Sequence, residues 1–157
     1  MRLLQYNFKP AIEKSLHFAT LLDRKYFYQY SELRNHIERS YFIEAAGKLS
    51  QDDIGKLQLL CDAAKNKLND NPIHIPHQEH KGLHLLIYKR LVNVFVMGIL
   101  EAYWSIYEAI GLDLYTDFEY LEKVWQYHQD IVRAIKEGDL ERGFDLLIKH
   151  MELLYQR

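Results

Sequence analysis

The segment LEKVWQYHQDIVRAIKEGD, which runs from Leu121 to Asp139, decides the fold class because its apolar residues recur at three- and four-residue spacing. That spacing predicts an amphipathic α-helix with one face in a core. Gly138 should end the helix and Asp139 should cap the next one, since glycine favours helix C-termini and aspartate favours N-caps. The predicted inward face consists of Leu121, Val124, His128, Ile131, Val132 and Ile135. A histidine therefore lies on a face that points into the protein.

The rest of the chain carries the same helical pattern. Glycine and proline are scarce, with seven and three residues, and no segment shows the alternation of a half-buried strand. We predict seven helices, over about residues 9–23, 26–48, 51–68, 77–91, 93–111, 117–137 and from 139 to near the C-terminus. Short connections favour antiparallel neighbours. The predicted fold is all-α, an antiparallel bundle of six to seven helices that forms one domain over residues 1–157.

Local signals support several of these boundaries. Ser50, followed three residues later by an acid, resembles a capping box at the start of the third helix. The segment 72–76, which has a proline at each end, is the clearest loop. Asn93 fits an N-cap of the fifth helix, and that helix should end near Gly111.

Composition limits the function classes. The 157 residues are 48% hydrophobic and 27% charged, which is typical of a globular domain. The formal net charge of −2 argues against a large basic surface for nucleic acid. The single cysteine, Cys61, cannot form an internal disulfide, so a cytoplasmic location is expected. The most apolar stretch, Leu91–Tyr107, contains polar residues and indicates a core helix rather than a membrane span.

Four of the eight histidines are predicted to face the interior. His80 and His84 share a helix face that continues into apolar residues, His128 lies on the stripe described above, and His150 lies among leucines of the last helix. A buried imidazole nitrogen without a partner costs about 1–3 kcal/mol. Hydrogen bonds within the core or one shared metal ion would each remove that cost, and neutral imidazole is a common ligand of transition metals. The other histidines, for which no comparable argument exists, are His17, His36, His74 and His77.

From Glu32 onward the sequence resembles the FCD (FadR C-terminal) domain of GntR-family transcription regulators. Glu32–Glu38 is similar to the family's E-x-R-x-x-x-E helix motif, and His80–His84 falls on its D-x-x-F-H motif. His128–Asp139 resembles the signature H-x-x-I-x-x-A-I-x-x-G-D, and His150 occupies the position of the final histidine. The resemblance covers roughly 125 residues in order, and the last signature is its most specific part.

The resemblance implies a metal held by one aspartate and three histidines inside the bundle. The histidine positions are His84, His128 and His150, whereas the aspartate position holds His80. An all-imidazole set favours a nitrogen-preferring divalent ion, zinc or alternatively nickel. Glu79 is the neighbouring acid, but it points about 100° away around the helix. His80 could instead leave its position to water.

The resemblance also implies a sensor rather than an enzyme. A small carboxylate effector would bind beside the metal and contact Arg34, although Arg34 could equally pair with Glu38 one turn away. The domain should form a homodimer, without a membrane partner, and should reach DNA only through a winged-helix domain that this chain lacks. Two alternatives stay open: a small helical metal-dependent hydrolase with Glu79 as base, and a metal-free dimerisation module whose histidines hydrogen-bond in the core.

Overall fold

The computed structural model describes residues 5–110 and 117–153, and within these ranges it contains seven α-helices and no strand. The helices are α1 (Lys9–Leu22), α2 (Lys25–Gly47), α3 (Gln51–Leu68), α4 (His77–Tyr88), α5 (Val94–Ile110), α6 (Phe118–Glu137) and α7 (Leu140–Glu152). The prediction of an all-α fold is confirmed. Gly111, the predicted end of the fifth helix, lies outside the described residues.

The predicted caps are present. The Ser50 side chain accepts a hydrogen bond from the Asp53 amide, and the Asp53 carboxylate accepts one from the Ser50 amide. The side chain of Asn93 accepts hydrogen bonds from two backbone amides in the first turn of α5. Gly138 ends α6 with a left-handed φ of 76°, and the Asp139 side chain then caps α7. These local signals set helix boundaries because they satisfy backbone groups that a helix end leaves without a partner.

One boundary prediction is wrong. The fourth helix ends at Tyr88 rather than at Leu91. The side chains of Lys89 and Arg90, just past this end, both bind Asp53 at the start of α3. This long-range attachment favours a turn after Tyr88, and no local spacing in the sequence reveals it.

The described residues divide into two units. The first contains α1, α5 and α2 as far as Glu38, and α1 packs against α5 there. Gly98 permits this contact, because a Cβ atom at that position would lie 2.9 Å from the Lys9 backbone nitrogen. Tyr103, Trp104 and Tyr107 are buried in this unit, which identifies them as core residues. The organisation of residues 1–157 as one domain stays a prediction.

The second unit contains the remainder of α2 together with α3, α4, α6 and α7. Helix α6 packs against both α3 and α7, and α3 also packs against α4. The most deeply buried apolar residues of this unit include Phe42, Leu57, Cys61, Leu83, Ile87, Val132, Leu147 and Met151. Burial raises the pKa of the Cys61 thiol to about 12, as expected of a core cysteine.

No helix of the described ranges combines the length and the apolar character needed to cross a membrane.

Candidate metal centre

Four histidines of the second unit meet in its interior. Helix α4 supplies His80 and His84, α6 supplies His128, and α7 supplies His150. One ring nitrogen from each of the four lies within 4.8 Å of the other three. We call these residues the histidine cluster. The spacing and the resemblance had singled out the same four residues.

Helix packing explains this convergence. Leu83 and Ile87 are 0% and 1% exposed and hold the inner face of α4 in the core. His80 and His84 are four residues apart and therefore share that face. On α6, His128 follows Val124 by one helical turn, and Val124 is 2% exposed. Apolar periodicity thus directs imidazole from three helices toward one point.

Burial is deep but not uniform. The exposed fractions are 0% for His128, 1% for His84, 4% for His150 and 9% for His80. Such burial removes water as a hydrogen-bond partner and makes the surrounding residues decide the chemistry of the rings.

The distances fit one metal ion. The Nε2 atoms of His84 and His128 are 3.2 Å apart. Two nitrogens on a tetrahedral zinc ion would be about 3.3 Å apart, given a Zn–N bond of about 2.0–2.1 Å. Ring centroids in the cluster are separated by 4.3 Å (His128 and His150) to 6.2 Å (His80 and His150). The nitrogens of all four residues lie within 4.8 Å of one another, and four neutral nitrogen donors suit zinc or nickel.

An aromatic and apolar wall surrounds part of the cluster. The Trp125 ring centroid lies 4.8 Å from that of His128 and 6.1 Å from that of His80. A cleft of about 10 Å³ opens beside His80, which is room for about one water molecule. We call it the His80 cleft, and its lining residues are Ile75, Pro76, His77, His80, Leu121, Val124 and Trp125.

A comparison with protein families gave a match that covers most of the chain. The family model described as the FCD domain matches residues 29–153, which contain all four histidines. The chain belongs to the FCD family. FCD domains are regulatory domains of GntR-type transcription regulators, and such regulators are not enzymes. Neither the comparison with curated proteins nor that with solved structures gave a match.

Glu79 of this FCD domain is engaged away from the histidine cluster. The Lys67 ammonium lies 2.7 Å from Glu79 Oε1 and 2.9 Å from Oε2, so the pair ties α3 to α4. A carboxylate held in this way is poorly placed to accept a proton from a metal-bound water. The geometry therefore gives the hydrolase alternative little support.

Arg34 lies in the first unit and is 2% exposed. Its Nη1 donates to Glu38 Oε2 at 3.1 Å and to Asn35 Oδ1 at 2.9 Å. The guanidinium carbon also lies 4.4 Å from the centre of the Tyr103 ring. The pairing with Glu38, which the sequence left as one of two alternatives, is present. A contact between Arg34 and an effector stays a prediction.

The sequence did not indicate a second buried polar group, which is centred on the Asp53 carboxylate. Asp53 is fully buried, and its carboxylate accepts from Arg90 Nε at 2.7 Å and pairs with Lys89. Arg90 also donates to the Ser50 hydroxyl. Arg90 and Lys89 hold the pKa of the Asp53 carboxyl well below its usual range, and the Ser50 amide adds to this effect. We call Ser50, Asp53, Lys89 and Arg90 the Asp53 cluster. The capping role of Asp53 was visible in sequence, but its two cations were not.

The remaining histidines lie outside the histidine cluster. His36 contacts the Glu32 carbonyl, and His74 contacts the Asp70 carboxylate at the surface. His17 is exposed, whereas His77 lines the His80 cleft.

Proposed function

We propose that this FCD domain binds one divalent transition metal ion, zinc in preference to nickel, and uses it to sense a small organic acid. The observation that carries the proposal is the convergence of four buried imidazoles from three helices, with their nitrogens within 4.8 Å of one another. His84, His128 and His150 form the most buried part of the donor set.

The positive charge of a divalent ion held by neutral donors favours an anionic effector. The four donors are neutral when they bind a metal, and the nearby acid, Glu79, is already balanced by Lys67. A divalent ion held there would supply a Lewis-acidic position for a carboxylate. Because the site is buried, an anion that offsets the positive charge gains more than it would in water. The effector is therefore expected to be a small carboxylate.

Space also matters. The His80 cleft holds about one water molecule as it stands. An organic acid that entered there would have to displace side chains of its wall, such as Trp125 or Leu121. That displacement links effector binding to the packing of α4 and α6, which is the kind of change a regulatory domain requires. In the proposed mechanism the domain acts as a homodimer, and effector binding selects one arrangement of its two copies.

The metal part of the proposal is tested by metal-linked stability. Chelator-treated chain should gain about 2.7 kcal/mol of unfolding free energy when free zinc is 100 times its dissociation constant. Thermal unfolding, followed by circular dichroism, measures the gain as an upward shift of several degrees. A His84→Ala/His150→Ala variant should lose the shift, while a His36→Ala/His74→Ala variant should keep it. Stability that responds neither to chelator nor to divalent metals would favour the metal-free dimerisation module.

The effector part requires a separate measurement. Small mono- and dicarboxylates, added one at a time to zinc-loaded chain, should include at least one that binds in calorimetry. The same compound should not bind after chelation. Binding that persists with alanine at His84 and His150 would contradict the proposed role of the metal.

A further inference from the structure

His80 differs from the other three members of the histidine cluster. It is the most exposed of them, at 9%, and its ring lies farthest from that of His150, at 6.2 Å between centroids. It lies in the first turn of α4, where the N-cap Pro76 provides no side-chain hydrogen bond. It also lines the His80 cleft. His80 is therefore the peripheral member of the donor set.

The other three histidines are more deeply buried than His80. His84 and His128 are joined by the 3.2 Å contact between their Nε2 atoms, and the rings of His128 and His150 are 4.3 Å apart. None of these three is more than 4% exposed. A metal held by them alone would leave a fourth tetrahedral position open, whereas four imidazoles would fill all four positions.

We infer that His80 is an exchangeable fourth ligand, which closes the histidine cluster in the resting state and gives way when an anion binds. The inference rests on the proposed metal site and specifies how that site is regulated. In the exchange, the neutral His80 nitrogen leaves and an anionic oxygen or nitrogen takes its place, without electron transfer. Replacement of a neutral donor by an anion would offset the positive charge of the buried ion, and the attraction between the two is stronger there than in water.

The ion pairs that hold both ends of α4 indicate which part of the site would move when His80 is released. Glu79, the residue before His80, is tied to Lys67 on α3, and Lys89 and Arg90 fix the other end of α4 to Asp53. Both ends of the helix are therefore held to α3. Release of His80 should be a rotation of its side chain rather than a shift of the whole helix.

Cobalt(II) provides a test, because its visible absorption distinguishes four-coordinate from higher-coordinate sites, and azide serves as the probe anion. Chelator-treated wild type, His80→Ala and His80→Asn would each be titrated with cobalt and then with azide. His77→Ala is the matched control, since His77 also lines the His80 cleft but is not a member of the histidine cluster. Circular dichroism would establish that each variant is folded, and the asparagine variant guards against a cavity effect in the alanine variant.

Wild type and His77→Ala should bind one cobalt ion per chain with the strong absorption of a four-coordinate site. Both His80 variants should still bind one ion, with a weaker and shifted spectrum, and should bind azide at least about tenfold more tightly than wild type. Spectra and azide affinities that are the same in wild type and both His80 variants would overturn the exchange while leaving the metal site intact. Absence of cobalt binding in wild type would overturn both proposals.

Discussion

The second unit contains two buried polar clusters that differ in how their charges and lone pairs are used. In the Asp53 cluster, one carboxylate meets two cations and a serine, so opposite charges and donors face acceptors. In the histidine cluster, four side chains of one kind converge, and each brings a nitrogen to the same point. The first cluster is complete within the chain. The second has the composition of a site for a bound ion.

Under the proposed function, the Asp53 cluster has a structural role and the histidine cluster binds a metal ion. A network in which a buried charge has partners contributes to the fold, because loss of Lys89 and Arg90 would leave the Asp53 carboxylate buried without a counter-charge. The histidine cluster has no anionic member, and its rings contact one another, as His84 and His128 do at 3.2 Å between their Nε2 atoms. The two clusters should therefore respond differently to mutation, to pH and to metal, and each response tests the comparison.

The largest effect on folding is expected at Asp53. Asp53→Asn removes the buried charge that pairs with Lys89 and Arg90 while keeping the size of the side chain, so the thermal midpoint should fall by several degrees or more. Lys56→Ala is the control, because it removes only an exposed pair with Asp52 on the same helix. Calorimetry would measure both. An Asp53→Asn midpoint equal to that of Lys56→Ala would show that the Asp53 cluster contributes little to the fold.

The contributions of the two clusters to stability should also be lost at different pH values. The folded-state pKa of Asp53 is lowered, so its contribution to stability is fully present above the unfolded value of about 3.9 and is lost only as pH falls below it. Metal binding requires neutral imidazole, whose ordinary pKa is about 6.5, so zinc-linked stability should already decline below that pH. Unfolding with and without zinc, from pH 8 to about pH 2, would show the zinc-linked loss first and the start of the Asp53-linked loss only below the ordinary carboxyl pKa of about 3.9. Zinc-linked stability that is constant from neutral pH to pH 5 would argue against histidine ligands.

The smallest effect is expected at Glu79. Its pairing with Lys67 is partly exposed, so Glu79→Gln should cost about 1 kcal/mol or less. Zinc stoichiometry should be unchanged, because the carboxylate faces α3 rather than the histidine cluster. Lys67→Met should behave similarly. A loss of bound zinc in Glu79→Gln would place Glu79 among the ligands. The histidine cluster would then include an anionic member, contrary to the comparison with the Asp53 cluster.

Most of the fold was predictable because its signals are local. Apolar spacing placed all seven helices, and Ser50, Asn93, Gly138 and Asp139 marked their ends. The end of α4 was not predictable, since the contact between Arg90 and Asp53 spans 37 residues. A helix end that is set by a distant partner leaves no periodic trace in sequence.

The candidate site was predictable in its members but not in its surroundings. Spacing alone placed the histidines on inward faces, and the family resemblance joined the three helices that carry them. The engagement of Glu79 by Lys67 and the small volume of the His80 cleft depend on how helices pack. The asymmetry between His80 and the other three histidines likewise appears only in the folded structure.

The most direct test of the account is the metal content of the purified chain beside that of the His84→Ala/His150→Ala variant, measured by elemental analysis before and after zinc is added back. The account predicts about one metal ion per wild-type chain and none in the variant. Absence of metal in both proteins after zinc is restored would contradict it and reduce the histidine cluster to core residues. The FCD fold would still stand.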